Sequence, residues 1–345
     1  MGGLSTLRYV DATEVSRVLP AIDPVAAVRR MLELHARGET VLPAEAYLPW
    51  QAEDGAPCRS LSMPGLIRGG VDVAGTKIIN ASPANLDRGL PRACGLIVLF
   101  DLATARPRCL LDGTQISALR TAAVSVCAVQ QLAAATRVLA LIGCGPLAAA
   151  HLRLMAAHLP DLAEVRLYDL APARAQTLHA EAQNVGPAVT VTVAASVRQA
   201  VRDADVIVPA TTTTEGYLPL AWLRPGAVVV NVSLDDVLPE VVLGADLVVV
   251  DDWGLVAADD RRLVGRMLRA GQVYGPDDEP PPGGAARRVD AELGQILIGA
   301  HPGRTAPEQV VLVNPFGMAI ADLAVAAAVE TAVGGVGGGQ WLPLG

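Results

Sequence analysis

The sequence predicts an α/β protein with a Rossmann-type parallel sheet domain and a second, separate domain. Three observations carry this. From residue 138 onward, short apolar runs alternate with helical stretches, the pattern of a parallel sheet covered on both faces. The first of these runs, Val138 to Ile142, ends in Gly143-Cys144-Gly145, with Ala148 in the third small position. One βαβ unit later a second run, Val165 to Tyr168, ends in Asp169. That is the outline of a dinucleotide site: the glycines allow a tight turn and close backbone approach to a pyrophosphate. The helix beginning at Pro146 and Leu147 offers its positive end, and the acid can accept from a ribose hydroxyl.

Each element has a local reason. Residues 23–36 read as an amphipathic helix, with Asp23 as N-cap, Pro24 in the first turn and Gly38 after the end. Between residues 39 and 111, strand-like runs such as Leu61 to Met63, Thr76 to Ile79 and Leu96 to Phe100 are broken by Pro, Gly and Asn. Ser117 to Ala135 is Ala-rich and helical. In the alternating region, strands are expected at 138–142, 165–168, 189–193, 205–208, 227–232 and 247–250, with helices such as 173–184 and 195–202 between them. Residues 274–288, with Pro-Pro-Pro-Gly-Gly, read as a mobile surface loop. A strand at 311–313 and a helix at 317–333 follow, then a glycine-rich tail (Gly334, Gly335, Gly337 to Gly339) expected to be flexible. The dinucleotide unit thus starts in mid-chain, the first third serves the substrate, and the last helix is free to return to it.

Composition narrows the function. At 345 residues the chain is long enough for about two domains. With 52% hydrophobic and 18% charged residues it is a well-buried globular protein, its core filled by Ala, Val and Leu because aromatics make up only 3%. A net charge of −8 without a basic cluster argues against a nucleic-acid surface. No apolar run reaches the roughly 18 residues of a membrane span, and the N-terminus lacks a signal pattern. Cys58, Cys94, Cys109, Cys127 and Cys144 are scattered, without metal-ligand or disulfide spacing. Buried thiols in a reducing cytoplasm and no metal are the expectation.

The chemistry is expected where charges interrupt apolar segments. Arg59 precedes Ser-Leu-Ser-Met-Pro, Lys77 lies inside Gly-Thr-Lys-Ile-Ile-Asn, and Arg120 lies inside a helical run; Arg92 is a fourth cation of the first third. Such cations are either structural ion pairs or ligands for an anionic substrate or cofactor phosphate. Ala-Thr-Thr-Thr-Thr (210–214), carrying Thr211 and Thr212, follows a strand, where ligands of open α/β sheets bind. The run 228–237 ends a strand with Ser233, Asp235 and Asp236. Its carboxylates are either helix caps, which local sequence favours, or a general base near the nicotinamide.

These residues resemble the ornithine cyclodeaminase/mu-crystallin family. The likeness rests on Arg59 with Met63-Pro64, Gly75-Thr76-Lys77, Ser117 to Ser125, Gly143-Cys144-Gly145 and the closing Asn314 to Asp322, and it spans roughly residues 7–330. Within that family the chain is most similar to the N-(2-amino-2-carboxyethyl)-L-glutamate dehydrogenases of 2,3-diaminopropionate biosynthesis. Arg88 to Gly95, Ser117 to Ala128, Val250 to Trp253, Ala291 to Gly294 and Pro302-Gly303-Arg304 carry that similarity.

The resemblance implies a discontinuous α+β substrate-binding and dimerisation domain (1–125 and 311–345) and a Rossmann domain (126–310), assembled as a homodimer. It implies that Arg59 and Lys77 bind substrate carboxylate, with Arg92 among the substrate-side cations, and that Arg120 serves both substrate and cofactor. Thr121, Gly143, Gly145, Pro146, Leu147, Asp169, Thr211, Thr212 and Ser233 would hold the cofactor, and Asp236 would assist proton transfer and water attack. The implied reaction is NAD-dependent oxidation of a small amino-acid substrate to an imine, then hydrolysis to 2,3-diaminopropionate and 2-oxoglutarate for siderophore or peptide natural-product biosynthesis. Asp169 favours NAD over NADP by repelling a 2′-phosphate, although Arg174 lies nearby to offset it. A cyclodeaminase with recycled NAD and a mu-crystallin-like binder are the other activities the resemblance admits. Three positions depart from the pattern: Glu45 stands where a basic residue is expected, Pro49 replaces an Arg, and Ala321 replaces the acid before Asp322. Glu45 therefore joins the substrate-side residues with the opposite charge.

Overall fold

The computed structural model describes residues 5–182, 189–282, 284 and 286–344. The chain divides into two compact units, Met1–Arg120 with Met318–Gly345, and Thr121–Gly317. It passes from one to the other inside the helix Thr114–Leu132 and again after Gly317.

The first unit is built on a sheet in the order Gln340–Leu344, Ser5–Val10, Pro107–Asp112, Ala93–Phe100, Val73–Ala81, Pro57–Ile67 and Thr40–Val41, with Ala46–Gln51 also paired to Pro57–Ile67. All pairs are antiparallel except Ser5–Val10 with Pro107–Asp112. Alternate residues of the two central strands are buried: Met63, Gly65 and Ile67 on one, Val73, Gly75 and Lys77 on the other. The helices Pro24–Ala36 and Ala319–Gly335 pack with this sheet. The first starts as expected, the Asp23 carboxylate accepting from Ala26 N–H at 2.9 Å. The second is apolar on every side, which suits a buried helix.

Two glycines decide how close that last helix comes. Gly65 and Gly75 stand opposite each other in register. A Cβ on Gly65 would lie 2.8 Å from Ile320 Cγ2, and one on Gly75 would lie 2.5 Å from Val98 O and 2.9 Å from Leu323 Cδ2. The missing side chains let Ile320 and Leu323 settle on the strands, so Asp322 between them reaches the row of Lys77.

The second unit is an all-parallel sheet in the order Thr190–Val193, Glu164–Tyr168, Val138–Ile142, Val206–Pro209, Val228–Val230, Val311–Val313, Leu247–Val250 and Ala291–Glu292. Its central strands are buried along their length, as strands covered on both faces must be. The order reverses between Val138–Ile142 and Val206–Pro209, and the strand ends there form the crevice in which open α/β sheets bind ligands.

Four features differ from the sequence expectation. Val311–Val313 lies between Val228–Val230 and Leu247–Val250, so 311–317 belongs with the parallel sheet, and residues 121–125 join the same unit. A three-residue apolar strand carries no local mark of which sheet it joins. The glycine-rich tail is not loose: the last helix runs to Gly335, and Gln340–Leu344 pairs along Ser5–Tyr9, with Arg8 stacked 4.6 Å over Trp341. The loop 274–288 is tied at both ends by parallel pairing of Val273–Tyr274 with Arg287–Arg288, and Gly275 N–H donates to Asp278 at 3.0 Å; residues 283 and 285 lie outside the described residues. The helix expected at 173–184 is Pro172–Glu181, with 183 and 184 outside the described residues. No helix among the described residues is long and apolar enough to cross a membrane.

The paired tail makes a direct prediction. In hydrogen exchange, the peptide covering 340–344 shows protection comparable to its partner Ser5–Tyr9; exchange at the rate of an unstructured peptide would contradict the pairing.

Candidate active site

In the first unit, Lys77, Arg120 and Asp322 form a buried cluster. Lys77 Nζ lies 2.6 Å from Asp322 Oδ2 and 3.4 Å from Ser117 Oγ. Arg120 Nε lies 3.2 Å from the same Asp322 oxygen. Lys77 and Asp322 are 1% and 0% exposed. Two cations share this one buried carboxylate, and Glu45 adds a second negative charge that acts on Lys77. Burial pulls the Lys77 ammonium down to about 8; Asp322 opposes the shift, Arg120 adds to it, and the Asp322 hydrogen bond and Glu45 oppose it further. Asp322 Oδ1, also buried, has no hydrogen-bond partner.

The strand register explains why Glu45 acts on Lys77. Ala46 faces Ser62 and Met63 faces Lys77, so Glu45, just before its strand, continues the row Met63–Lys77–Ile97. Arg59 lies on the same face as Lys77, opposite Ala81. Arg92 stands at the start of the strand Ala93–Phe100, half-buried, its carbonyl accepting from Ser82 N–H at 3.0 Å.

In the second unit the glycine loop follows Val138–Ile142. Gly143 has φ +87°, and a Cβ there would lie 2.8 Å from Ala210 O, so only glycine suits both the backbone and the space. A Cβ on Gly145 would meet nothing within 4 Å. Gly145 is the N-cap of the helix Pro146–His158 and makes no side-chain cap, leaving the first-turn N–H groups of Leu147 and Ala148 for an anion. Asp169 Oδ2 accepts from Cys144 N–H and Oδ1 from Ala171 N–H, each at 2.8 Å, which fixes the acid against the loop. Further lone pairs on both oxygens can take a ribose hydroxyl. These residues fit a dinucleotide. Burial, and secondly Asp169, push the Cys144 thiol up to about 12.

A buried pair braces this loop. His151 Nδ1 lies 2.8 Å from Leu147 O and His151 Nε2 lies 2.8 Å from Ser125 Oγ, itself 3.2 Å from Thr121 O. A carbonyl only accepts, so Nδ1 carries the proton and Nε2 accepts from Ser125. Burial holds this imidazole neutral by lowering its pKa to about 4.

Asp236 lies beside the end of Val206–Pro209 and is 0% exposed. Thr211 Oγ1 donates to Oδ1 at 2.6 Å and Tyr217 Oη at 2.8 Å, while the Ser233 hydroxyl bonds Oδ2. Ser233 also accepts from Thr211 N–H at 3.1 Å. Burial, and secondly the Asp236 charge, raise the Tyr217 phenol far above its ordinary value, so it remains a donor. The other buried aspartates of this unit are held by backbone N–H groups and guanidinium groups: Asp205 by Arg137 N–H, Val138 N–H and Arg224, Asp251 by Phe316 and Gly317 N–H, and Asp259 by Arg261. Asp236 differs in being ringed by hydroxyls, which can rotate and can both donate and accept.

The structure thus brings Lys77, Arg120 and Glu45 together in one unit, and Gly143, Gly145, Asp169, Thr211, Ser233 and Asp236 at one end of the sheet in the other. Thr212 is exposed, and the hydrogen bonds of its loop are made by Thr211 and Thr213. The local capping role expected for the carboxylates at 235 and 236 is not observed: the helix Pro239–Gly244 has Leu238 as N-cap with no side-chain bond. Asp235 instead accepts from Leu263 N–H, far along the chain. Asp322 and Tyr217 were not among the expected site residues. The signal for Asp322 is an acid in the first turn of a helix that is otherwise apolar as far as Glu330; nothing local marks Tyr217.

The ornithine cyclodeaminase/mu-crystallin family model matches residues 10–335. An N-((2S)-2-amino-2-carboxyethyl)-L-glutamate dehydrogenase of Staphylococcus aureus is 32% identical over 88% of this chain and 87% of its own length. An alanine dehydrogenase of Archaeoglobus fulgidus is 28% identical over 91% of each chain. The crystal structure of CmnK superposes with a TM-score of 0.87 at 36% identity, covering 98% of each chain.

The environment of Lys77 can be measured without any assay. In NMR of lysine-labelled protein, the side-chain amine of Lys77, the chain's one lysine, titrates near 8 rather than 10.5 and its signal disappears in Lys77→Met. Glu45→Gln moves the midpoint lower, because the carboxylate at 45 favours the charged form. A titration unmoved by Glu45→Gln refutes the coupling.

Proposed function

The chain belongs to the ornithine cyclodeaminase/mu-crystallin family, and on that premise we propose an NAD-dependent dehydrogenase acting on a secondary-amine amino acid. N-(2-amino-2-carboxyethyl)-L-glutamate is the substrate it suits, with 2,3-diaminopropionate and 2-oxoglutarate as products. The observation that carries this reading is Asp236, buried beneath three hydroxyls at the sheet's switch point and joined through Thr211 to the backbone against which Gly143 packs. The relatives named as dehydrogenases of amino acids support the same class.

In this reading Gly143, Gly145, Pro146 and Leu147 bind the pyrophosphate, with Thr121 on the phosphates. Asp169 binds the adenosine ribose hydroxyls and so prefers NAD to NADP. When bound, the nicotinamide accepts the hydride from the glutamate-side Cα. Lys77 and Arg120 hold substrate carboxylate with Arg59 and Arg92, and Glu45 takes the substrate's free ammonium. Loss of the hydride leaves a C=N bond whose nitrogen keeps its proton. Asp236 orients a water and accepts its proton as the C–O bond forms. That proton passes to the nitrogen as the C–N bond breaks, and the new hydroxyl's proton leaves as the ketone forms. The sum is substrate, NAD and water to two products, NADH and one proton. A homodimer belongs to the same proposal.

The test is the NADH absorbance band, read with N-(2-amino-2-carboxyethyl)-L-glutamate, alanine and ornithine in parallel. The expected result is NADH in a one-to-one ratio with 2-oxoglutarate from the first. Ammonia from ornithine without net NADH, and no signal from the first, would overturn the reading. Asp236→Asn is expected to lose about 10²- to 10⁴-fold in kcat with cofactor affinity retained. The Lys77 cation is present below about 8 and lost above it, so kcat/KM falls as pH rises through that value. Lys77→Arg moves the fall to higher pH.

A further inference from the structure

The turn carrying Asp236 is held in an unusual backbone state by groups outside the hydroxyl ring. Leu234 has φ +76°, a left-handed conformation in which a bulky side chain is strained. The turn is anchored on its N-terminal side, where Asn231 N–H donates to Val313 O at 2.8 Å and Asn231 Nδ2 donates to Asn314 Oδ1 at 2.8 Å. On the far side, Asp236 O accepts from Tyr217 and Leu218 N–H at 2.9 and 3.0 Å. Between them stand two consecutive buried carboxylates aimed at different partners. Asp235 accepts from Leu263 N–H at 2.9 Å, Arg262 Nη1 at 2.9 Å and Arg266 Nη2 at 3.2 Å.

We propose that Asp235 is a positioning residue for Asp236. Its clamp on Arg262, Arg266 and the start of the helix Leu263–Arg269 holds Leu234 left-handed, which fixes the direction in which the next carboxylate points. The clamp also gives the first of two adjacent carboxylates its own cations, while the second is held by hydroxyls. This rests on the reading of Asp236 as the proton-handling residue. Without the clamp the turn relaxes toward ordinary negative φ and swings Asp236 off its hydroxyls, and misplacing a catalytic group by about an ångström costs up to roughly a hundredfold.

The test compares three variants in the full-length protein. Asp235→Asn keeps an acceptor for Leu263 N–H and removes the charge. The pair Arg262→Gln with Arg266→Gln removes the clamp from its more exposed end, and Arg262→Lys with Arg266→Lys restores the charge. The first two are expected to lower kcat by about tenfold or more and to displace its pH profile. Cofactor affinity stays within about twofold, and the lysine pair recovers most of the rate. If Asp235→Asn does not fold, the glutamine pair alone decides. Lower thermal stability with unchanged kcat per folded molecule and an unchanged pH profile, while Asp236→Asn is inactive, overturns the positioning role and leaves the reading of Asp236 standing. Full turnover by Asp236→Asn overturns both.

Discussion

One buried carboxylate under two cations organises the first unit. Asp322 is inaccessible to water, and Lys77 and Arg120 converge on a single one of its oxygens. A charge in that position is tolerated only when compensated; removing one partner of a buried pair typically costs about 3–5 kcal/mol. The sheet and the last helix are therefore bound to each other by more than apolar packing. The glycines at 65 and 75 are what make the approach possible, since a methyl at either would press on Ile320, Leu323 or the Val98 carbonyl. Shape admits the helix, and the carboxylate fixes its rotation and depth.

The second unit uses carboxylates differently. Asp205, Asp251 and Asp169 each accept from backbone N–H groups near strand ends or the segments that follow, so each ties two distant stretches of chain together. Such bonds are directional and static. Asp236 departs from this usage because its partners are hydroxyls, whose protons can turn. The same contrast appears between neighbours, with Asp235 locked by guanidinium groups and Asp236 left to hydroxyls.

What the sequence made legible is what is local. The Gly143–Gly145 loop, Asp169 and the Asp23 cap announce themselves because strand, turn and helix are contiguous. Lys77 and Arg120 stood out as charges inside apolar segments, although their common partner lies some two hundred residues away in a helix that reads as plain core. Val311–Val313 is expected with the substrate-binding domain because a short valine-leucine strand suits either sheet; its place is set by the neighbours it inserts between. The tail looked loose because glycine favours disorder in isolation, yet Gly337 and Gly339 supply the positive φ that turns the chain back along Ser5–Val10. Asp235 misled for the opposite reason. A carboxylate just before a helix is normally its cap, but its acceptor sites were already claimed by a helix further on.

The pairing of Lys77 and Arg120 on Asp322 gives Glu45 its meaning. Left alone, two cations and one carboxylate attract any anion and discriminate little. Glu45 adds a negative charge at one end of the same cross-strand row, near enough to favour the protonated lysine. The first unit then carries both signs in a fixed order along a rigid sheet. An anion lacking a cationic group gains from the lysine and pays at the glutamate, whereas a molecule with a carboxylate and an ammonium at matching separation gains from both. Under the proposed function, a carboxylate where a basic residue is expected exchanges overall attraction for anions against selection for a zwitterion.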